Sequence, residues 1–169
     1  AMYELWSKTE PKSITPEDSG ILESSREDWY SLEATQGFPE VYASSQEKFI
    51  LQNLNLQTLG AVSFQKGCYT GQEIIARMKF LGKQKKKMFL LQTELKQTSQ
   101  ANEDVFDVDG KKCGVVVRSH WSELTGSVTL AILSLSYLES NQVAYLDPLA
   151  KNAFAVLELN YDHLQKTKK

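Results

Sequence analysis

The spacing of hydrophobic residues changes near the middle of the chain. Before residue 83 the apolar positions predict a strand, MYELW, a loop, EPKSITPEDSG, and then two helices. After residue 87 six short apolar runs follow, namely MFLLQTEL, DVFDV, KKCGVVVRS, SVTLAILSL, QVAYL and AFAVLELN. The dipeptide Asp109-Gly110 between the second and third runs predicts a hairpin turn. Short strands at this spacing favour a small antiparallel barrel or sandwich.

The first predicted helix lies in WYSLEATQGFP and the residues just before it. Ser24 or Ser25 can cap its N-terminus, because a serine side chain accepts hydrogen bonds from free backbone amides. Trp29 and Leu32, together with Tyr30, would face the core. The glycine and proline of QGFP predict its end.

The second predicted helix follows the motif KGCYTGQE, residues 66–73. Thr70 and Glu73 match a capping box, in which each side chain bonds the backbone amide of the other residue, so the helix would begin near Gly71. Glu73 would also pair with Arg77 one turn later. The apolar face of this helix would consist of Ile74, Ile75 and Met78.

The composition is that of a globular protein without a membrane segment. The chain has 169 residues, 41% of them hydrophobic, which suffices for one domain or two small ones. The change of pattern predicts a boundary between residues 1–82 and 83–169, the latter ending in a frayed tail, HLQKTKK. No apolar run approaches the roughly 20 residues of a membrane span, and AMYELWSKTE lacks the basic and apolar regions of a secretory signal, so we expect neither. We expect a reducing compartment, the cytoplasm or alternatively the mitochondrial matrix, and no membrane partner.

The cysteines and histidines exclude two common kinds of site. Cys68 and Cys113 allow one disulfide at most, which argues against a disulfide-stapled secreted domain. His120 and His163 are isolated and show no spacing typical of zinc ligands, so we predict no dedicated metal site. Cys113 lies inside an apolar run and is expected to be an ordinary strand residue.

A basic segment follows the motif, although the whole chain has a net charge of −2. Its six positive residues, with no acid among them, are Arg77, Lys79, Lys83, Lys85, Lys86 and Lys87. Such a segment attracts phosphates, polyglutamate or RNA, but a charged run is also typical of an ordinary solvated face. The run from Lys83 to Lys87 lacks the interleaved aromatic residues of single-stranded RNA binders, so an RNA-binding module is an alternative rather than the first hypothesis.

Cys68 is the candidate functional residue. A thiol near a helix N-terminus and near Lys66 would be stabilised as the thiolate. Gly67 and Gly71 let the backbone approach a ligand and expose amide groups that can hold an anion. Such a thiol can attack an electrophile, undergo reversible oxidation or bind a metal transiently. The alternative is a buried structural cysteine, and these residues alone leave both open.

KGCYTGQE, continued by IIAR and a basic run, resembles the signature of the YgfZ-type folate-binding family, which is related to the glycine-cleavage T-protein, an aminomethyltransferase. FILQNLNLQTLGAVSFQ, WYSLEATQGFP and EDVFDVDGKKCGVVV also resemble segments of that family. The resemblance implies an α+β protein, in which residues 1–82 are the C-terminal part of a T-protein-like α/β folate-binding body and residues 83–169 form a small antiparallel β-barrel. It also implies that the chain is the C-terminal half of a longer protein, whose N-terminal half would be a partner.

The resemblance further implies a folate-binding accessory protein that supports the assembly or repair of iron–sulfur enzymes and tRNA modification, rather than a conventional enzyme. Its cofactor would be tetrahydrofolate or a derivative, and its protein partners would be iron–sulfur enzymes or their assembly machinery. Cys68 would be the functional thiol. The motif residues carried over with it by position are Lys66, Gly67, Tyr69, Gly71, Gln72, Glu73 and Arg77.

An alternative within the resemblance is a tetrahydrofolate-dependent aminomethyltransferase. The T-protein reaction does not depend on a cysteine in such a motif, which favours the accessory protein. T-proteins usually carry a glutamate that recognises the pterin two residues before the turn glycine, and this chain has Thr35 there. Because a neutral hydroxyl cannot replace a carboxylate that accepts from two pterin donors, this departure predicts weakened or altered folate binding.

Overall fold

The structure of the protein is a computed structural model, and it describes residues 24–64, 66–80 and 82–161. The described helices are α1 (Arg26–Thr35), a 3₁₀ turn (Ala43–Ser45), α2 (Gln72–Phe80) and α3 (Leu135–Leu138). The described strands are β1 (Lys86–Thr93), β2 (Asp104–Phe106), β3 (Lys112–Ser122), β4 (Gly126–Ser134), β5 (Val143–Tyr145) and β6 (Ala153–Leu157). The predicted strand MYELW, the loop EPKSITPEDSG and the tail HLQKTKK lie outside the described residues.

The six strands form a closed antiparallel barrel in the order β1, β4, β3, β2, β5, β6, and β6 pairs back onto β1. The ladder between β1 and β4 starts with Lys86 opposite Ser134. Between β2 and β3, Gly110 has φ +73° and donates its N–H to the Asp107 carbonyl at 3.1 Å, which forms the predicted turn. The small antiparallel barrel is therefore confirmed, whereas the α/β folate-binding body stays a prediction.

Part of the barrel wall is buried on both faces. An inner cluster takes residues from every strand, namely Phe89, Leu91, Val105, Val116, Ala131, Leu133, Ala144 and Phe154. An outer cluster packs β1, β3 and β4 against α1 and the turns that follow it, and it includes Ala34, Leu54, Met88, Leu90, Val117, Val128, Leu130 and Ile132. Successive strand residues point to opposite faces, so a wall covered on both sides requires unbroken apolar runs. This explains why MFLLQ and VVV lack polar alternation.

Helix α1 begins after Ser25, one of the two predicted caps. Ser25 Oγ accepts the Asp28 N–H at 3.1 Å, and Asp28 Oδ2 accepts the Ser25 N–H at 3.0 Å. Hydrogen bonds from the Ser25 side chain and backbone lower the pKa of Asp28 to about 2. The capping box therefore keeps the Asp28 carboxylate ionised at the positive end of the helix dipole.

The predicted buried face of α1 is only partly right. Ser31 and Ala34 are buried, whereas Trp29, Tyr30 and Leu32 are only half-buried. Helix α1 packs across β3 and β4, and small side chains at the contact allow a close approach of the two backbones. The larger apolar residues therefore flank the contact instead of forming its centre.

Turns over residues 49–60 connect α2 with the barrel. Asn55 Nδ2 donates to the Met88 carbonyl on β1 at 3.0 Å. Gln52 Nε2 donates to the Ile75 carbonyl on α2 at 2.8 Å. Both amides are buried, and buried polar groups that find partners fix local geometry strongly. This segment therefore positions the motif helix beside the barrel.

Gly114 allows β3 and β4 to approach closely, which leads to a stability prediction. A Cβ at this position would lie 2.5 Å from the Ile132 carbonyl oxygen and 2.5 Å from Leu133 Cδ2. We expect Gly114→Ala to lower the free energy of unfolding by about 1–3 kcal/mol, because a backbone atom must shift to relieve the overlap. Urea denaturation measures this. Gly67→Ala is the control, since nothing lies within 4 Å of its Cβ, and an equal loss in both variants would contradict the prediction.

Candidate functional site

The motif cysteine lies in a loop, residues 66–71, that immediately precedes α2. Cys68 is exposed. Lys66 Nζ lies 4.6 Å from the centre of the Tyr69 ring, within cation–π range. Gly71 has φ +82°, a conformation that favours glycine. The interpretation of Cys68 as a buried structural residue is therefore wrong, and its functional role stays a prediction.

The N-terminus of α2 differs from the predicted capping box. The helix begins at Gln72, and the Gln72 side-chain oxygen accepts the Tyr69 N–H at 3.2 Å. Thr70 and Glu73 form no hydrogen bond with each other, although both belong to the described residues. Gly71, rather than Thr70, occupies the position before the helix, so Thr70 does not cap it. The side chain that bonds a preceding backbone amide is that of Gln72, which bonds Tyr69, where the prediction was Glu73 to Thr70.

The position of Cys68 changes the physical account of its reactivity. It precedes the first helical residue by four positions, and the effect of a helix dipole falls off within about the first turn. The observed contact of Lys66 is with the Tyr69 ring. Solvent exposure, rather than a helix terminus, is therefore the property that makes this thiol available.

The predicted apolar face of α2 is right for Ile75, which is buried, and for Met78, which is half-buried and lines a cleft. It is wrong for Ile74, which is 64% exposed. The predicted ion pair is also absent, because no carboxylate of the described residues, Glu73 included, lies within 4.0 Å of the Arg77 guanidinium. Helix α2 is therefore held mainly through Ile75 and its carbonyl contact with Gln52.

A cleft of about 410 Å³ runs beside α2. Phe64 and Met78 line its apolar part, and Lys79 Nζ lies 3.6 Å from the centre of the Phe64 ring. Gln52, Gln57 and Gln84 line its polar part. The cleft thus combines an aromatic wall, a cation and three amides, which is typical of a small-molecule site.

Two buried acceptors in this wall lack partners. Gln52 Oε1 and Gln57 Oε1 are buried, and neither accepts a hydrogen bond from the described residues. Such orphaned acceptors are uncommon, since a buried polar atom without a partner costs about 1–3 kcal/mol. Their chemistry fits a ligand with N–H donors, such as a pterin ring. Thr35 does not line this cleft, and its hydroxyl donates to the Leu32 carbonyl at 2.7 Å.

Arg118 is the centre of a charged cluster that the sequence pattern did not predict. This side chain is 2% exposed and reaches Glu33 Oε2 at 3.4 Å and Glu40 Oε2 at 3.5 Å. Arg118 Nη1 also donates to the Phe38 carbonyl at 3.1 Å, and Nε donates to His120 Nε2 at 3.2 Å. The cluster therefore fixes α1 and the turn after it onto β3. The one signal for it was an arginine directly after VVV.

His120 is part of this cluster rather than an isolated residue. Its ring centre lies 5.3 Å from that of Tyr30. Burial and the neighbouring charge of Arg118 lower the pKa of His120. The neutral imidazole can therefore accept the Arg118 hydrogen bond, and Glu33, near the expected pterin-reading position, is already bound to the same guanidinium.

Cys113 lies in β3, as predicted, and packs against the inner cluster. It is half-buried. Burial, followed by the charge of Asp107, raises the pKa of the Cys113 thiol to about 11. The two cysteines therefore occupy chemically different environments, one exposed and one kept as the neutral thiol.

The described residues contain neither a cluster of metal ligands nor a membrane-spanning helix. No group of three or more His, Cys, Asp or Glu side chains among them is placed to hold a metal ion. Of α1, α2 and α3, none has the length and apolar character that crossing a membrane requires.

The fold and the loop define a class of protein in which a closed six-stranded barrel carries a helix and an exposed cysteine loop. No family model matches the chain. It is 38% identical over 109 residues to the tRNA-modifying protein YgfZ of Colwellia psychrerythraea strain 34H, a match that covers 63% of this chain and 34% of the relative. It is 46% identical over 77 residues to the protein of that name from Escherichia coli O45:K1 strain S88, covering 46% of this chain and 24% of the relative.

The similarity to YgfZ proteins that the motif predicted is confirmed over part of the chain. The chain spans about a third of the length of the first of these relatives and about a quarter of the second.

Proposed function

We propose that this chain is the part of a YgfZ-family protein that presents a functional thiol, Cys68, in support of tRNA modification. The exposure of Cys68 in a loop tied to α2 is the observation that carries the proposal. A thiol that is neither buried nor disulfide-bonded can react with a substrate or a partner protein. The relatives are named tRNA-modifying proteins, which supplies the process in which the thiol would act.

The finer part of the proposal is an accessory role for iron–sulfur enzymes. An accessible thiol can attack an electrophile, oxidise reversibly or hold a metal transiently, and each reaction suits the assembly or repair of a cluster. In this proposal the iron–sulfur cluster is cargo that the protein helps to assemble or repair, and it is not a resident cofactor of the protein. Both the cytoplasm and the mitochondrial matrix keep thiols reduced, so either compartment suits this chemistry.

The proposed ligand is tetrahydrofolate or a derivative, which would supply a one-carbon unit when bound. Gln52 Oε1 and Gln57 Oε1 would accept hydrogen bonds from its ring, and Phe64 would contact its apolar surface. An aminomethyltransferase is less well supported, because Thr35 replaces a carboxylate and Glu33 is bound to Arg118.

The proposal predicts the outcome of complementation in a strain that lacks the full-length parent. The parent carrying Cys68→Ser should restore neither the activity of an iron–sulfur enzyme nor the tRNA nucleoside that depends on it. Serine differs by one atom at an exposed position, so the fold should be retained. Enzyme assay and mass spectrometry of digested tRNA measure both readouts.

Cys113→Ser is the matched control for this experiment and should complement fully. Immunoblots would establish that both variants accumulate to equal levels. Full complementation by Cys68→Ser would refute a functional role of this thiol.

A further inference from the structure

A second cleft, also of about 410 Å³, lies at one rim of the barrel on the side of the 3₁₀ turn. The side chains that matter for its chemistry are Lys48, Phe49, Asn53, Lys86, Asn102 and Lys112. No Asp or Glu lines this cleft. We refer to it as the basic cleft.

The topology of the barrel brings these lysines together. Lys86 is the first residue of β1 and lies opposite Ser134, the last residue of β4. Lys112 is the first residue of β3, which pairs with the other edge of β4 in antiparallel orientation. The starts of β1 and β3 and the end of β4 therefore share one rim. Lys48 reaches the same rim from the turns after α1.

The fold also divides the basic segment of the sequence between two surfaces. Neighbouring strand residues point to opposite faces, so Lys86 lines the basic cleft while Lys87 does not. Lys87 Nζ instead lies 3.9 Å from Glu158 and 5.5 Å from the centre of the Phe89 ring. Lys83 and Lys85 also lie outside the lining. The positive charge of the basic cleft is therefore built from residues distant in sequence.

Two of the three lysines lack an acidic partner among the described residues. No carboxylate of the described residues lies within 4.0 Å of Lys48 or Lys86, whereas Lys112 Nζ lies 2.5 Å from Asp104. Cys113 also lines the cleft, and burial raises the pKa of its thiol to about 11, so it stays neutral. Several ammonium groups around one concave surface raise the local concentration of anions.

The remaining lining adds neutral donors and an apolar floor. The side-chain amides of Asn53 and Asn102 make no hydrogen bond to the described residues and can bond a ligand. Phe49, Val115 and Ile132 supply the apolar surface. The lysine ammonium groups can bind phosphate oxygens, the side-chain amides can hydrogen-bond a sugar or a base, and the apolar floor can contact a base.

We propose that the basic cleft binds one phosphate-bearing nucleotide unit of an RNA chain. This inference rests on the proposed role in tRNA modification, which selects RNA over an acidic peptide as the occupant. Lys48, Lys86 and Lys112 contact the phosphate, and Asn53 and Asn102 bond the sugar or the base. The cleft is distinct from the cysteine loop, so RNA binding does not require Cys68.

The test uses fluorescence anisotropy of a short labelled single-stranded RNA and of an unmodified tRNA transcript, with the full chain, at salt concentrations between about 50 and 200 mM. Lys48→Gln and Lys86→Gln should each weaken binding several-fold and reduce the slope of log affinity against log salt by about 0.7. Lys112→Gln should have a smaller effect on both, because Asp104 already pairs with Lys112. Lys85→Gln, which removes one charge from the same basic segment outside the cleft, should leave both quantities unchanged.

Two results would overturn the proposal. An equal loss in Lys85→Gln and Lys86→Gln would show that attraction to the surface is diffuse. Displacement of the RNA by polyglutamate of equal charge at equal concentration would show that an acidic peptide fits as well. Cys68→Ser should bind RNA like the wild type, so failure of the complementation experiment and failure of this one are distinguishable.

Discussion

Replacing Arg118 by leucine should lower the free energy of unfolding by about 3 kcal/mol, because it leaves buried acceptors without their cation. The side chain is 2% exposed and serves two carboxylates, 27% and 45% exposed. Leucine keeps much of the volume but removes the donors that serve the Tyr30 and Phe38 carbonyls. The value lies at the low end for a broken buried pair, because Glu33 and Glu40 retain some water. Urea denaturation followed by circular dichroism measures it.

Two variants isolate the contribution of burial to this effect. Arg77→Leu removes the same group from an exposed position and should change stability by no more than about 0.5 kcal/mol. Glu40→Gln removes the more exposed partner and should cost less than about 1 kcal/mol. Equal losses in Arg118→Leu and Arg77→Leu would contradict a stabilising role for the buried cluster.

Iodoacetamide should label Cys68 at least about 100-fold faster than Cys113 at neutral pH, because the thiolate is the reactive form and Cys113 is half-buried. With its pKa raised to about 11, Cys113 ionises only slightly at neutral pH. Its labelling rate should rise about tenfold for each pH unit and level off near pH 11, since deprotonation follows its titration.

The labelling rates are best measured by mass spectrometry of peptides from the intact chain. Cys68→Ser and Cys113→Ser each leave one thiol and confirm which peptide carries the label. Equal rates at neutral pH, or a Cys113 rate independent of pH, would contradict the assignment of exposed and buried thiols.

The sequence by itself determined the elements whose signals are local. Continuous apolar runs, separated by turn residues, predicted the six strands, because strand formation depends on side chains a few residues apart. The Ser25 cap of α1 could be predicted for the same reason, since Ser25 and its partner Asp28 are three residues apart. KGCYTGQE predicted the similarity to YgfZ proteins, because a contiguous motif can be recognised without knowledge of the fold. The α/β body, the folate ligand and the role of Cys68 stay predictions.

Only the tertiary structure decided which distant residues meet. Arg118 contacts Glu33, 85 residues away, and no local pattern selects that partner. The basic cleft exists because closure of the barrel brings Lys86 and Lys112 to one rim, where a turn adds Lys48. The capping box predicted at Thr70 is absent, because Gly71 occupies the position directly before the helix. Strand periods and caps are short-range properties, whereas burial and charge clusters depend on how the elements pack, which only the folded chain specifies.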